Sequence, residues 1–229
     1  MCVFVIYYIG KNIFTELGDI IMKKKEQVKE IRKIFDEIYK EADCTLDYRD
    51  PLQLLISTQL AAQCTDARVN TITPILFDKY KTVSDFANAD IIELESIIRP
   101  TGFYHNKAKN IIGCCKKLVS DFGGKVPEIM EELTSLPGVG RKTASIIIGD
   151  IYGKPAIVVD THAKRLAYRM GLTDNKDPVK VEFDLMKIVD PDYSFIFCHQ
   201  LVYHGRAVCK AIKPRCGECP IAHLCRQRI

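Results

Sequence analysis

Nowhere does the chain hold an apolar run of about eighteen residues, which excludes a membrane-spanning helix. An export signal is lacking too. MCVFVIYYIG is apolar, but no charge precedes it and no small-residue cleavage site follows closely, the reverse of signal-peptide order. Without export, the ten cysteines do not read as a disulfide framework, and a metal site in the cytoplasm is favoured. An excess of one charge sign is missing: 33 Lys and Arg face 29 Asp and Glu, a net of +4 that leans basic without naming a partner. There is no internal repeat and no low-complexity linker. Strand pattern is nearly absent as well. Only AIVVD (Ala156–Asp160) reads as extended, and one such segment cannot make a sheet, so the expected fold is all-α.

Helical periodicity fills the remainder. Val28, Ile31, Ile34, Phe35, Ile38, Tyr39 and Ala42 recur at three- and four-residue steps and form one apolar face. Asp50-Pro51 sets an N-cap before a first-turn proline and opens PLQLLISTQLAAQ. Asp66 can cap a helix through Tyr80, which Pro74 should break or kink. Ile91–Ile98 is a short helix. Ala108, Ile111, Ile112, Cys115, Leu118 and Val119 mark another, and Val179–Val189 and Tyr193–Val208 complete the set. Residues 1–21 stand apart as an extra segment. Lys23, Lys24 and Lys25 follow a second methionine, Met22, and Gly18-Asp19 can be encoded as GGAGAT, a purine-rich ribosome-binding sequence; translation is therefore expected to start at Met22.

LTSLPGVGRKTASIII (Leu133–Ile148) is the most informative stretch. Leu133 and Leu136 should end one helix, while Ala144, Ile147 and Ile148 face inward from the next. Between them, Gly138 and Gly140 permit positive φ and let the backbone come close to a partner. The second helix presents leading amides and its positive dipole end, which suits a DNA phosphate, with Arg141 and Lys142 adding charge. A plain αα-hairpin with a glycine turn is the alternative. Eighteen residues beyond Lys142 stands Asp160, at the end of an apolar segment and the start of a helix. An amine in a helix's first turn is placed where positive charge is least favoured, and lysine is a nucleophile only when neutral. A carboxylate can stabilise the positive charge that builds on a sugar losing its base. Simpler roles, a helix cap for Asp160 and a phosphate contact for Lys142, stand beside these.

Cys209, Cys216, Cys219 and Cys225 fall within 17 residues at 6-2-5 spacing. Four such thiolates suit tetrahedral zinc or a [4Fe–4S] cluster, and spacing alone leaves both open. They pin a loop bearing Lys210, Lys213 and Arg215 within a basic tail, His199 to Ile229, where six Lys and Arg face one acid, Glu218. The tail suits phosphate contact, or is simply a solvated basic terminus.

Taken together, the hairpin, the lysine–aspartate spacing and the cysteine run resemble the endonuclease III branch of the helix–hairpin–helix glycosylases, over roughly Met22 to Ile229. The resemblance implies that Lys142 is the nucleophile, Asp160 its electrostatic partner, and the four cysteines the ligands of a [4Fe–4S] cluster. Within LAAQCTD, Gln63 resembles the residue that fills the hole left by a flipped base; within TGFYHNKA, Phe103 stands where the family often has a wedging leucine. The implied architecture is two helical domains flanking a DNA-binding cleft: a six-helix barrel over 44–154 with the hairpin at about 130–150, and a cluster domain from 22–43 plus 155–229. The implied activity is removal of damaged, oxidised pyrimidines from duplex DNA, with cleavage of the abasic site by β-elimination through a lysine Schiff base. Double-stranded DNA with damaged bases or abasic sites is the expected partner of a cytoplasmic, nucleoid-associated monomer that needs no membrane. A mismatch adenine glycosylase would lack Lys142. Pyrimidine-dimer and mismatched-thymine glycosylases can share nearly every motif, whereas a non-catalytic DNA-binding module would not need Lys142 and Asp160 together.

Overall fold

Side-chain caps fix most helix starts in the computed structural model, which describes residues 2–229, with side chains from Ile20 onward. Among the described residues every regular element is helical. Ala156–Asp160 lies in no helix or strand, and the Val158 amide within it donates to Cys198 Sγ at 3.2 Å. The expectation that residues 1–21 stand apart falls mostly on side chains outside the described residues.

The chain divides into two compact units, Cys44–Ala156 and a second formed by the residues up to Asp43 together with Ile157–Ile229. The first unit holds α2 (Pro51–Leu60), α3 (Asp66–Lys79), α4 (Val83–Ala87), α5 (Ile91–Ile98), α6 (Tyr104–Phe122), α7 (Met130–Thr134) and α8 (Arg141–Ile146), the last running on through a π turn, Ile147–Ile151. Asp50 caps α2 by accepting from the Gln53 amide at 2.9 Å, with Pro51 in the first turn, where a missing N–H costs nothing. The helix stops at Leu60, three residues short of the sequence expectation, because the chain turns so that Gln63 takes φ 55°. Thr65, not Asp66, caps α3. Pro74 does not interrupt that helix, and the proline is exposed. Leu136, expected at the end of a helix, lies beyond α7, inside the hairpin turn. The buried faces of α2, α3, α5 and α6 supply this unit's core, including Leu54, Leu55, Leu76, Leu94, Ile98 and Ile111.

The second unit packs α1 (Cys2–Ile38), α9 (Thr161–Met170), α10 (Pro178–Met186) and α11 (Ser194–Ala207) about a separate core. Val28, Ile31 and Phe35 of α1 meet Leu166, Met170, Leu185, Phe197 and Leu201, so the first helix closes over the C-terminal half of the chain. Gln27 fastens it further, donating to the carbonyls of Met170 at 2.9 Å and Leu224 at 2.6 Å. No described helix is long and apolar enough to cross a membrane.

Candidate functional site

Leu133, Leu136 and Val139 are buried and anchor the hairpin in the first unit. Its two glycines are required for different reasons. Gly138 sits at φ +75°, and a Cβ there would come within 2.7 Å of Gln59 Oε1 and 2.8 Å of Asn110 Cβ; the fold itself demands glycine. Gly140 has φ −96°, which any residue adopts, and a Cβ there would meet nothing within 4 Å. Only the first glycine therefore needs the positive φ expected of both. At Gly140, the N-cap of α8, no side chain stands before the leading amides. The open surface admits an approaching group, and a phosphate fits both the shape and the dipole. Lys142 stands exposed in this first turn and Arg141 is half-buried beside it.

Gln63, Phe103 and Gly138 line one open cavity of about 230 Å³ in this unit, with Gln59, Ala62, Asn106, Lys107 and Asn110. Gln63 and Phe103 both adopt left-handed backbone, at φ 55° and φ 48°, which is costly for residues with a Cβ and concentrates at functional sites. Phe103 is 63% exposed, so it is not a core aromatic, and Gln63 is not on a helix surface.

Asp160 belongs to the second unit. Its Oδ1 accepts from the Ala163 amide at 2.7 Å, which caps α9 and fixes the carboxylate's orientation. The same helix organises the cysteine loop, in a way sequence reading did not detect. Arg165 donates to the Cys209 carbonyl from Nη2 at 2.9 Å and from Nε at 3.2 Å. One turn on, Arg169 donates to the carbonyls of Lys210 at 2.7 Å and Ala211 at 3.0 Å, and its Nη1 lies 3.4 Å from Cys209 Sγ. Their four-residue spacing on one helix face was the available signal.

Cys209, Cys216, Cys219 and Cys225 line a common cavity with Met170, Val208, Pro214 and Ile221. Four thiols converging on one cavity make a donor set that fits an iron–sulfur group. Burial pushes the Cys219 and Cys225 thiols up, and the neighbouring cysteines add to it. Burial also pushes the His204 imidazole down to about 4. Tyr39 Oη lies 2.8 Å from His204 Nδ1, and His204 Nε2 lies 3.5 Å from Cys219 Sγ. Lys210 and Lys213 are exposed on the loop. Arg215 is exposed too, but its guanidinium serves the Ala207 carbonyl and pairs with Glu218 at 3.2 Å, so it holds the loop as much as it offers charge outward.

Residues 56–191 match the family described as HhH-GPD superfamily base excision DNA repair protein, and residues 209–225 match the iron–sulfur binding domain of endonuclease III. Endonuclease III of Synechocystis sp. is 52% identical over 204 residues, 88% of this chain and 93% of the relative. That of Bacillus subtilis is 43% identical over 204 residues, 87% and 93% of the two chains. A solved structure, described as a trapped endonuclease III–DNA covalent intermediate, superposes with a TM-score of 0.84 at 42% identity, covering 89% of this chain and 96% of that one.

Proposed function

For this chain, which belongs to the endonuclease III family of base excision DNA repair proteins and is a DNA glycosylase and abasic-site lyase with an iron–sulfur cluster, we propose that Lys142 is the nucleophile and Asp160 the carboxylate that assists it. The observation that carries this reading is Lys142 itself, exposed in the first turn of α8 directly behind the open Gly140 N-cap. A hairpin that holds the DNA backbone at its amides brings the sugar to a lysine beside them. The description of a relative as trapped in a covalent intermediate with DNA supports a nucleophile of the kind Lys142 provides.

The neutral amine adds at C1′ as the damaged base departs with the bonding electrons of the glycosidic link. One proton passes from the attached nitrogen to O4′ as the nitrogen lone pair opens the C1′–O4′ bond, which gives an iminium and a free 4′-hydroxyl. Loss of a C2′ proton then expels the 3′ phosphate and cuts the strand. Asp160 stabilises the positive charge developing at C1′, and its capping bond to Ala163 holds the carboxylate ready. Substrates are oxidised pyrimidines, thymine glycol among them, in duplex DNA, and the protein acts as a monomer in the cytoplasm at the nucleoid. Gln63 fills the space of the extruded base and Phe103 wedges the stack. Gly138, Gly140, Arg141, Lys210, Lys213 and Arg215 hold the backbone. Cys209, Cys216, Cys219 and Cys225 ligate a [4Fe–4S] cluster whose work is architectural, ordering the loop from Lys210 to Arg215.

Borohydride trapping on lesion DNA tests the assignment. Lys142→Gln abolishes the cross-link while specific binding persists. Asp160→Asn still forms it, but turnover falls about 10²; the amide keeps a capping oxygen, so stability changes little. Cross-linking and cleavage by Lys142→Gln at the parental rate would move the nucleophile elsewhere.

A further inference from the structure

A buried lysine that the chemistry does not use joins the two left-handed segments. Lys107, in the first turn of α6, is only 6% exposed, yet no acid is among its hydrogen-bond partners. Its Nζ donates to the Leu60 carbonyl at 2.7 Å and to the Thr101 carbonyl at 2.9 Å. Leu60 is the last residue of α2, and Thr101 the last of a 3₁₀ turn, Arg99–Thr101. Each is an element end where carbonyls lack internal partners and a cation is favoured. Three residues beyond Leu60 stands Gln63, and two beyond Thr101 stands Phe103. A left-handed non-glycine residue persists only where its surroundings over-determine it. One ammonium fixes the departure point of both segments. Burial disfavours the charged form of this lysine, and the nearby Cys64 thiol opposes that effect. The same side chain lines the cavity that Gln63 and Phe103 share.

We infer that Lys107 is a positioning residue for base extrusion: it ties the ends of α2 and of the 3₁₀ turn together so that Gln63 and Phe103 enter the duplex in concert. This rests on the reading of those two residues as the ones that enter DNA. It locates the coupling between them in the protein before DNA binds.

The readout is a ratio of single-turnover rates, cleavage of a duplex bearing thymine glycol over cleavage of the same duplex bearing a ready-made abasic site. Extruding a paired base draws on the full insertion; an abasic sugar has no pair to break. Gln63→Ala/Phe103→Ala lowers the ratio about tenfold, and Lys107→Met, losing two charge-assisted bonds, lowers it about tenfold as well. Placed together, the three substitutions lower it no further, because Lys107 acts through side chains already removed. Hydrogen exchange quickens at residues 61–64 and 101–104 of DNA-free Lys107→Met, while the later turns of α6 keep their protection. Lys107→Gln, too short to span both carbonyls, enters the same cycle if the methionine variant does not fold. A parental ratio in the Lys107 variants, or a multiplicative loss in the combination, overturns the inference. An unchanged ratio in Gln63→Ala/Phe103→Ala overturns the underlying reading of the two residues and removes the role of Lys107 with it.

Discussion

Replacing each hairpin glycine by alanine separates what the fold requires from what DNA requires. At Gly138 the φ of +75° costs an L-residue about 1–2 kcal/mol. The added Cβ lands 2.7 Å from Gln59 Oε1 and 2.8 Å from Asn110 Cβ. Gln59 is 4% exposed and Asn110 meets the hairpin with its own Cβ, so neither yields freely, and overpacking adds roughly 1–3 kcal/mol. Gly138→Ala therefore loses about 2–5 kcal/mol, and its thermal midpoint falls by roughly 4–20 °C for a chain of this size. At Gly140 neither penalty applies, since φ is −96° and a Cβ would touch nothing within 4 Å. The weaker capping by alanine costs under about 1 kcal/mol. The methyl group nevertheless stands where a phosphate must reach the α8 amides, so affinity for a duplex carrying an uncleavable abasic analogue falls about tenfold, the loss of one charge-assisted hydrogen bond. Melting curves and fluorescence anisotropy on both variants decide the matter. Parental affinity in Gly140→Ala would refute amide-borne phosphate binding at this turn, and a parental melting point in Gly138→Ala would refute the crowding beneath it.

Purified anaerobically, the protein is brown, with broad visible absorbance, and Cys216→Ala lowers both its iron content and its DNA affinity; one zinc and no iron per chain would refute the cluster. Arg169→Met removes the donors to the Lys210 and Ala211 carbonyls, so a chelator strips iron faster than from the parent while α9 stays helical by circular dichroism; an equal rate would show that the loop holds itself. If about five phosphates are neutralised, the logarithm of the binding constant falls against the logarithm of salt with a slope near −4 to −5. Lys213→Ala flattens that slope by about 1, and Arg215→Ala by less, because its guanidinium also serves Ala207 and Glu218; a slope indifferent to Lys213 would remove it from the interface.

Much of the fold was legible because its helices announce themselves locally. The Asp50-Pro51 start of α2 needs only a side-chain oxygen and a residue that can do without its N–H, and both are visible in sequence. The α1 face of Val28, Ile31 and Phe35 is legible from its spacing, although nothing in that spacing says which helices it will meet. Where local reading failed, solvent or a distant neighbour decided. Pro74 survives inside α3 because it faces water. At the end of α2 the Leu60 carbonyl accepts from the Lys107 ammonium, which arrives from 47 residues away.

The candidate site divides along the same line. The roles proposed for Lys142, Asp160 and the four cysteines were suggested by the sequence because such chemistry needs particular side chains at particular intervals, and those intervals survive in one dimension. Lys107, Arg165 and Arg169 act instead on backbone carbonyls, and every residue has one of those. No pattern of residue types marks the Leu60, Thr101, Cys209 or Lys210 carbonyl as the acceptor. Their roles exist only after folding has converged the partners. Gln63 and Phe103 lie between these cases. Their residue types are visible in the sequence, but the left-handed backbone at both, and the single cation behind both, are not. A substitution chosen from sequence alone would therefore target the side chains proposed to insert and overlook the lysine bonded to the carbonyls just before both of them.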